Sequence, residues 1–154
     1  MGDSGLGQTQ GMETQERSRG TGTGRPSRRY VLDGGPGTAG TFRRLAARAA
    51  VDWYGPLSPS ARTAVADAQL LVTELVVDAV RRGGVPYELR LDRSPHGIRL
   101  QVSDTCSVAP GHAGRRRPGV PSRTTLHLVR RLAAVWGWVA HDHGRTVWCV
   151  VRFP

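Results

Sequence analysis

A helical pattern of apolar residues between positions 58 and 84 constrains the fold more than any other part of the chain. Ser58 and Pro59 supply an N-cap and a first-turn proline, and apolar residues then recur every three or four positions up to Gly83 and Gly84. This spacing predicts an amphipathic helix of about six turns, whose apolar face needs a second layer to cover it.

Shorter patterns predict the other elements of the fold. A short apolar stretch at Tyr30 to Leu32 precedes a second amphipathic pattern from Phe42 to Trp53. Farther along, alternating residues predict a hairpin over 87–102, and two last strands are predicted over 136–141 and 145–153. Between them, the spacing of Leu126, Leu128, Val129 and Leu132 predicts a short helix. The order predicts an α/β two-layer sandwich, with a mostly antiparallel sheet covered by helices on one face. The four tryptophans are expected to pack in its core.

Composition divides the chain into a tail and one domain. Residues 1–29 contain seven glycines and only three apolar residues, so we expect a disordered N-terminal tail before a single domain at 30–154. Residues 105–121 carry many helix and strand breakers and are predicted to form a lid. No apolar run is long enough to span a membrane or to form a signal peptide, and the two cysteines build no disulfide framework. We therefore expect a cytoplasmic protein with no membrane partner.

The net charge of +10 comes from arginine alone. All 22 basic residues are Arg and the chain has no Lys, a composition typical of the codon bias of a high-GC bacterium. Because this bias inflates the basic count, the charge is weak evidence for a nucleic-acid partner, and we expect none.

Two acidic residues lie four positions apart on the long predicted helix. Glu74 and Asp78 therefore project from one face of it. On a solvated face, such a pair has little consequence beyond weak like-charge repulsion. In a cleft, the same pair could hold a hard cation and polarise a water molecule. The spacing alone leaves both interpretations open.

The residues around this pair resemble a known family. Leu70 to Gly84 is similar to the first motif of the GHKL (Bergerat-fold) ATPases, in particular the anti-sigma-factor serine kinase branch common in actinobacteria. Residues 102–104 resemble the adenine-reading motif, 126–129 the helix after the nucleotide lid, and 136–148 the last two strands. The resemblance covers about residues 30–154 and implies the Bergerat, or histidine-kinase-like ATPase, fold.

The resemblance also implies roles for the acidic residues. Glu74 corresponds to the general base, Asp78 to the residue that holds Mg²⁺ against the triphosphate, and Asp104 to the acceptor of a hydrogen bond from the adenine amino group. ATP and Mg²⁺ would be the cofactors, and a protein serine or threonine would be the phosphate acceptor. The implied partners are a sigma factor, its antagonist protein, or both, and the resemblance also suggests a homodimer.

Three departures from the family pattern fall on these motifs. Asp78 stands in place of the usual Asn, and Cys106 stands beside the implied cleft, where a glycine is usual. The lid ends in Arg123, Thr124 and Thr125 instead of a glycine-containing turn. These three residues could still contact phosphate through charge, hydroxyl and amide groups, or they could simply cap the helix.

The sequence therefore leaves two hypotheses. The first is an ATP-binding regulatory protein that phosphorylates or sequesters a partner, as anti-sigma-factor serine/threonine kinases do. The second is a degenerate pseudokinase that keeps the fold and binds a sigma factor or an antagonist without nucleotide.

Overall fold

A computed structural model describes residues 24–107 and 126–154. In these ranges the elements follow the predicted order: β1 (Ser27–Val31), α1 (Thr38–Tyr54), α2 (Pro59–Arg81), β2 (Pro86–Ser94), β3 (Gly97–Asp104), α3 (His127–Leu132), β4 (Val135–His141) and β5 (Gly144–Arg152). Strand β1 begins three residues before the predicted start of the domain. Residues 1–23 of the predicted tail and residues 108–121 of the predicted lid lie outside the described residues.

The five strands form one sheet in the order β1-β2-β3-β5-β4, and every neighbouring pair is antiparallel. Alternate side chains of β2, β3 and β5 are buried, so one face of the sheet packs in the core and the other is more exposed. Across the centre of the sheet, apolar residues of β3 and β5 lie directly opposite each other: Ile98 and Val151, Leu100 and Cys149, Val102 and Val147. The predicted antiparallel sheet is confirmed.

Helix α2 forms where the sequence predicts it. The Ser58 side chain accepts a hydrogen bond from the backbone N–H of Ala61 at 3.2 Å, which caps the helix, and Pro59 is its first residue. Its apolar stripe, including Leu71 and Leu75, is buried. The helix packs against α1, α3 and strands β2, β3 and β5. The arrangement is compatible with the predicted two-layer α/β sandwich.

The core lies between the helices and the apolar face of the sheet. Its largest fully buried apolar side chains come from both layers, among them Phe42 of α1, Leu71 of α2 and Leu100 of β3. Burying a side chain of this size stabilises the fold by about 1.5–3 kcal/mol. Among the described residues, no helix is both long and apolar enough to cross a membrane.

Two tryptophans, Trp138 and Trp148, contradict the prediction that all four lie in the core. Trp138 is 41% exposed because it lies on β4, one of the two edge strands of the described sheet. Trp53 and Trp136 are partly buried against the core. Trp148 is partly buried on the opposite face of the sheet, under the guanidinium of Arg99.

Candidate functional site

Helix α2 carries Glu74 and Asp78 on the same side, one turn apart, as the spacing predicts. Their environments differ: Asp78 is only 1% exposed, whereas Glu74 is partly buried. Each carboxylate is directed at a different element of the fold, and the partners of each decide what it can do.

Asp78 is joined to the sheet by a buried arginine. Arg145, the second residue of β5, donates a hydrogen bond from Nη2 to Asp78 Oδ2 at 2.7 Å. Its Nε donates to both carboxylate oxygens of Asp104, at 3.1 and 3.3 Å. Arg145 is completely buried, and Asp104 is 1% exposed. The Arg145 guanidinium therefore fills the space between the two acidic side chains.

Strand pairing explains why these groups meet. Asp104 ends β3 and lies directly opposite Arg145 in the antiparallel register, so both side chains project from the same face of the sheet. That face is the one on which α2 packs, which brings Asp78 to the same point.

Further donors complete the network. The backbone N–H of Cys106 donates to Asp104 Oδ1 at 2.7 Å, and Arg82 Nε donates to Asp78 Oδ1 at 3.3 Å. Two carboxylates and two guanidinium groups then give no net formal charge. Burial raises the pKa of Asp104 above its ordinary value, although the positive charge of Arg145 opposes the change.

Glu74 is occupied in a different way. Its Oε1 accepts hydrogen bonds from the backbone N–H groups of Leu126 and Leu128 at 3.1 Å, and its Oε2 accepts one from Val129 at 2.9 Å. Burial raises the pKa of Glu74, and these backbone hydrogen bonds partly offset the effect. Glu74 thus caps the first turn of α3, whose own N-cap residue, Leu126, has no side chain that can accept a hydrogen bond.

The predicted site residues have different outcomes. Asp78 and Asp104 come together, but through Arg145. Cys106 lies beside them, 5% exposed, and its backbone is what contacts Asp104. The predicted phosphate-binding residues Arg123, Thr124 and Thr125 lie outside the described residues.

Sequence reasoning missed Arg145, although one signal was present. Arg145 alternates along β5 in step with the apolar residues Val147, Cys149 and Val151, so its side chain lies on the same face of the strand as theirs. An arginine on a buried stripe needs an acidic partner in the core. Asp104, at a strand end in the predicted hairpin, was one candidate for that partner.

The arrangement does not fit a bound magnesium nucleotide. Both oxygens of Asp78 accept hydrogen bonds from arginine side chains, and these cations would repel Mg²⁺. Both oxygens of Asp104 likewise accept hydrogen bonds from Arg145, so an adenine amino group would compete with this buried guanidinium for the carboxylate. Within the described residues, no group of three or more His, Cys, Asp or Glu could hold a metal ion.

A cavity of about 520 Å³ lies elsewhere, between α2 and the loop that joins β1 to α1. Its lining is mostly apolar and includes Val76, Val80 and Pro86, whereas Glu74, Asp78 and Asp104 do not line it. The three acidic residues therefore face a packed polar network and not this cavity.

No protein-family model matches the chain, and no curated protein matches it either.

Proposed function

We propose that this protein is a degenerate Bergerat-fold relative of the anti-sigma-factor kinases that acts without nucleotide, as a protein-interaction module. Its partner would be a sigma factor or the antagonist of one. The observation that carries this proposal is the complete burial of Arg145 between Asp78 and Asp104. The family resemblance of the α2 motif and of the terminal hairpin, together with the antiparallel sheet and its helices, supports the fold assignment.

The energetics of the buried network oppose nucleotide binding. An adenine ring that displaced Arg145 from Asp104 would break both hydrogen bonds from Arg145 Nε and remove one of the two carboxylates that pair with this buried guanidinium. Removing one partner of a buried ion pair costs about 3–5 kcal/mol. A nucleotide would have to supply this free energy before it gained any net affinity.

Glu74 supports the same proposal. A general base must reach the proton that it removes. Here the two oxygens of Glu74 accept three backbone hydrogen bonds from the start of α3, so abstraction of a hydroxyl proton would uncap that helix. The acidic residues that correspond to catalytic groups in the family thus hold elements of this fold together.

Calorimetric titration of the full chain with MgATP tests the proposal. We expect no saturable heat, either from the natural chain or from the matched variant Asp104→Asn. Saturable heat that is lost in Asp104→Asn would instead establish nucleotide binding at the site that the resemblance implies. Transfer of radiolabelled phosphate from ATP to a serine or threonine of a partner would establish the kinase hypothesis.

A second measurement tests the protein-interaction role. Candidate sigma factors and antagonists from the same genome can be titrated against the full chain, with and without MgATP. We expect one of them to bind with an affinity that is unchanged by nucleotide. An affinity that changes tenfold or more on adding MgATP would contradict the proposal, as would the absence of binding by every candidate.

A further inference from the structure

Strand β4 lies at one edge of the described sheet. It pairs with β5 on one side, and no described strand pairs with it on the other. Natural edge strands carry charges, prolines or bulges that prevent further pairing, but residues 135–140 contain no charged residue and no proline. Three of its apolar side chains are well exposed, with 52% for Val135, 41% for Trp138 and 55% for Val139.

The sequence of this strand is symmetric. Residues 135–139 read Val-Trp-Gly-Trp-Val in either direction, with Gly137 at the centre. If two copies of β4 pair antiparallel about Gly137, Val135 lies opposite Val139 of the second copy, and Trp136 lies opposite its Trp138. Each such pair shares one face of the sheet, so apolar side chains of equal size meet on both faces.

The backbone geometry allows this register. His141 pairs with Gly144 across a two-residue turn, which makes it a hydrogen-bonded pair. Because hydrogen bonding alternates along an antiparallel ladder, the N–H and C=O groups of Trp136 and Trp138 point away from β5. In the register centred on Gly137, these outward groups face each other and can form four hydrogen bonds between the copies.

Gly137, at the centre of the proposed contact, has no side chain, and the Trp148 ring occupies that space. A Cβ atom at this position would lie 2.7 Å from the Trp148 indole, so the ring lies directly against the glycine. On this outer face, Val135 and Val139 lie on either side of the Trp148 ring, which is itself under the Arg99 guanidinium.

Charge favours a second copy as the partner of this edge. The chain has a net charge of +10, so most surfaces of two copies repel each other, but residues 135–140 are uncharged. The exposed Arg130 and Arg131 precede β4, and the exposed Asp142 follows it. Antiparallel pairing brings the acidic end of one strand toward the basic end of the other, at both ends of the contact.

We infer that β4 is the self-association surface of this protein. Two copies pair through β4 about a two-fold axis at Gly137 and form one continuous antiparallel sheet. This inference does not depend on the proposed function, because it rests on the edge strand and not on the Arg145 network.

Sedimentation equilibrium of the full chain tests the association. We expect a dimer, and we expect Val139→Arg to raise its dissociation constant at least tenfold, by placing a charge opposite Val135 of the second copy. Val51→Arg is the matched control, because Val51 is 49% exposed but lies on α1; it should dimerise as the natural chain does. A monomeric natural chain would overturn the inference. Equal weakening by both variants would also overturn it.

Cross-linking tests the register. In the proposed register, Val135 of one copy and Val139 of the other form a non-hydrogen-bonded pair. The Cα atoms of such a pair lie about 4.5 Å apart, which suits a disulfide between Val135→Cys in one copy and Val139→Cys in the other. We expect an oxidised mixture of the two single variants to give a covalent dimer on a non-reducing gel, and each variant alone to give little. No cross-link in the mixture, or an equal yield from either variant alone, would contradict the register.

Discussion

Nη2 of Arg145 lies 2.7 Å from Oδ2 of Asp78, although the two residues are 67 positions apart in the chain. Asp78 belongs to α2 and Arg145 to β5, so this contact joins the helical layer to the sheet. A buried ion pair adds little stability compared with apolar residues of the same volume, but removing one partner is costly. The contact is therefore most informative when only one of its members is changed.

Replacement of the buried arginine is expected to destabilise the fold strongly. Arg145→Met leaves Asp78 and Asp104 without their shared cation, and we expect a loss of about 3–5 kcal/mol in the free energy of unfolding. Urea unfolding measures the change. Arg152→Met, at an exposed position on the same strand, is the control and should change the unfolding free energy by no more than about 0.5 kcal/mol. Equal losses for the two variants would contradict the role assigned to Arg145.

Loss of the Glu74 cap is expected to loosen α3. Glu74→Ala removes the acceptor of three backbone hydrogen bonds, and we expect it to cost about 1.5–3 kcal/mol. Trypsin should then cleave faster after Arg130 and Arg131, which lie in this helix. Glu88→Ala serves as the control, because Glu88 pairs with Arg29 at the other side of the sheet. If both variants are cleaved at the same rate, Glu74 does not hold α3 in place.

Titration of Glu74 is expected to make stability depend on pH in a defined direction. Burial raises the pKa of Glu74 in the folded chain above its ordinary value of 4.5. The folded state therefore binds a proton more tightly than the unfolded state does, so this residue's contribution to stability is greatest below pH 4.5 and is lost as the pH rises through the folded pKa.

The comparison of the natural chain with Glu74→Gln isolates this effect, because titrations shared by the two proteins cancel. Urea unfolding at several pH values between 4.5 and neutrality should show the natural chain losing stability, relative to the variant, as the pH rises. A relative gain over this interval would mean that the folded pKa of Glu74 is depressed.

Both cysteines are expected to be unreactive in the folded protein. Cys149 is fully buried, and burial raises the pKa of its thiol to about 12, so it stays protonated at neutral pH. Cys106 is 5% exposed. An aromatic disulfide reagent should therefore label neither thiol in the folded chain and both after unfolding in urea. Rapid labelling of Cys106 in the folded chain would instead indicate an open cleft beside Asp104.

The order of the elements could be predicted because it depends on local patterns. Ser58 and Pro59 mark the start of α2, and alternating residues mark the strands, so each signal is contained within its own segment. The exposure of Trp138 could not be predicted in this way, because it depends on which strand lies at the edge of the sheet.

Most of the groups that contact Glu74 and Asp78 come from distant parts of the chain, so local sequence patterns do not reveal them. Glu74 and Asp78 were identified from their spacing and motif, but whether they face a cleft depends on what packs against them. The groups that do so come from β5 and from the start of α3, more than 50 positions along the chain. The position of Arg145 on the apolar face of β5 was the one sequence signal of a buried acidic partner, and it did not identify which acidic residue that partner is.

The Arg145 contacts bind the C-terminal half of α2, the end of β3 and the start of β5 at a single point. None of these segments can separate from the others without exposing an unpaired charge, so they should open together as one cooperative unit. Amide hydrogens in all three segments are then expected to exchange with solvent deuterium at similar free energies of opening, although they are far apart in the chain.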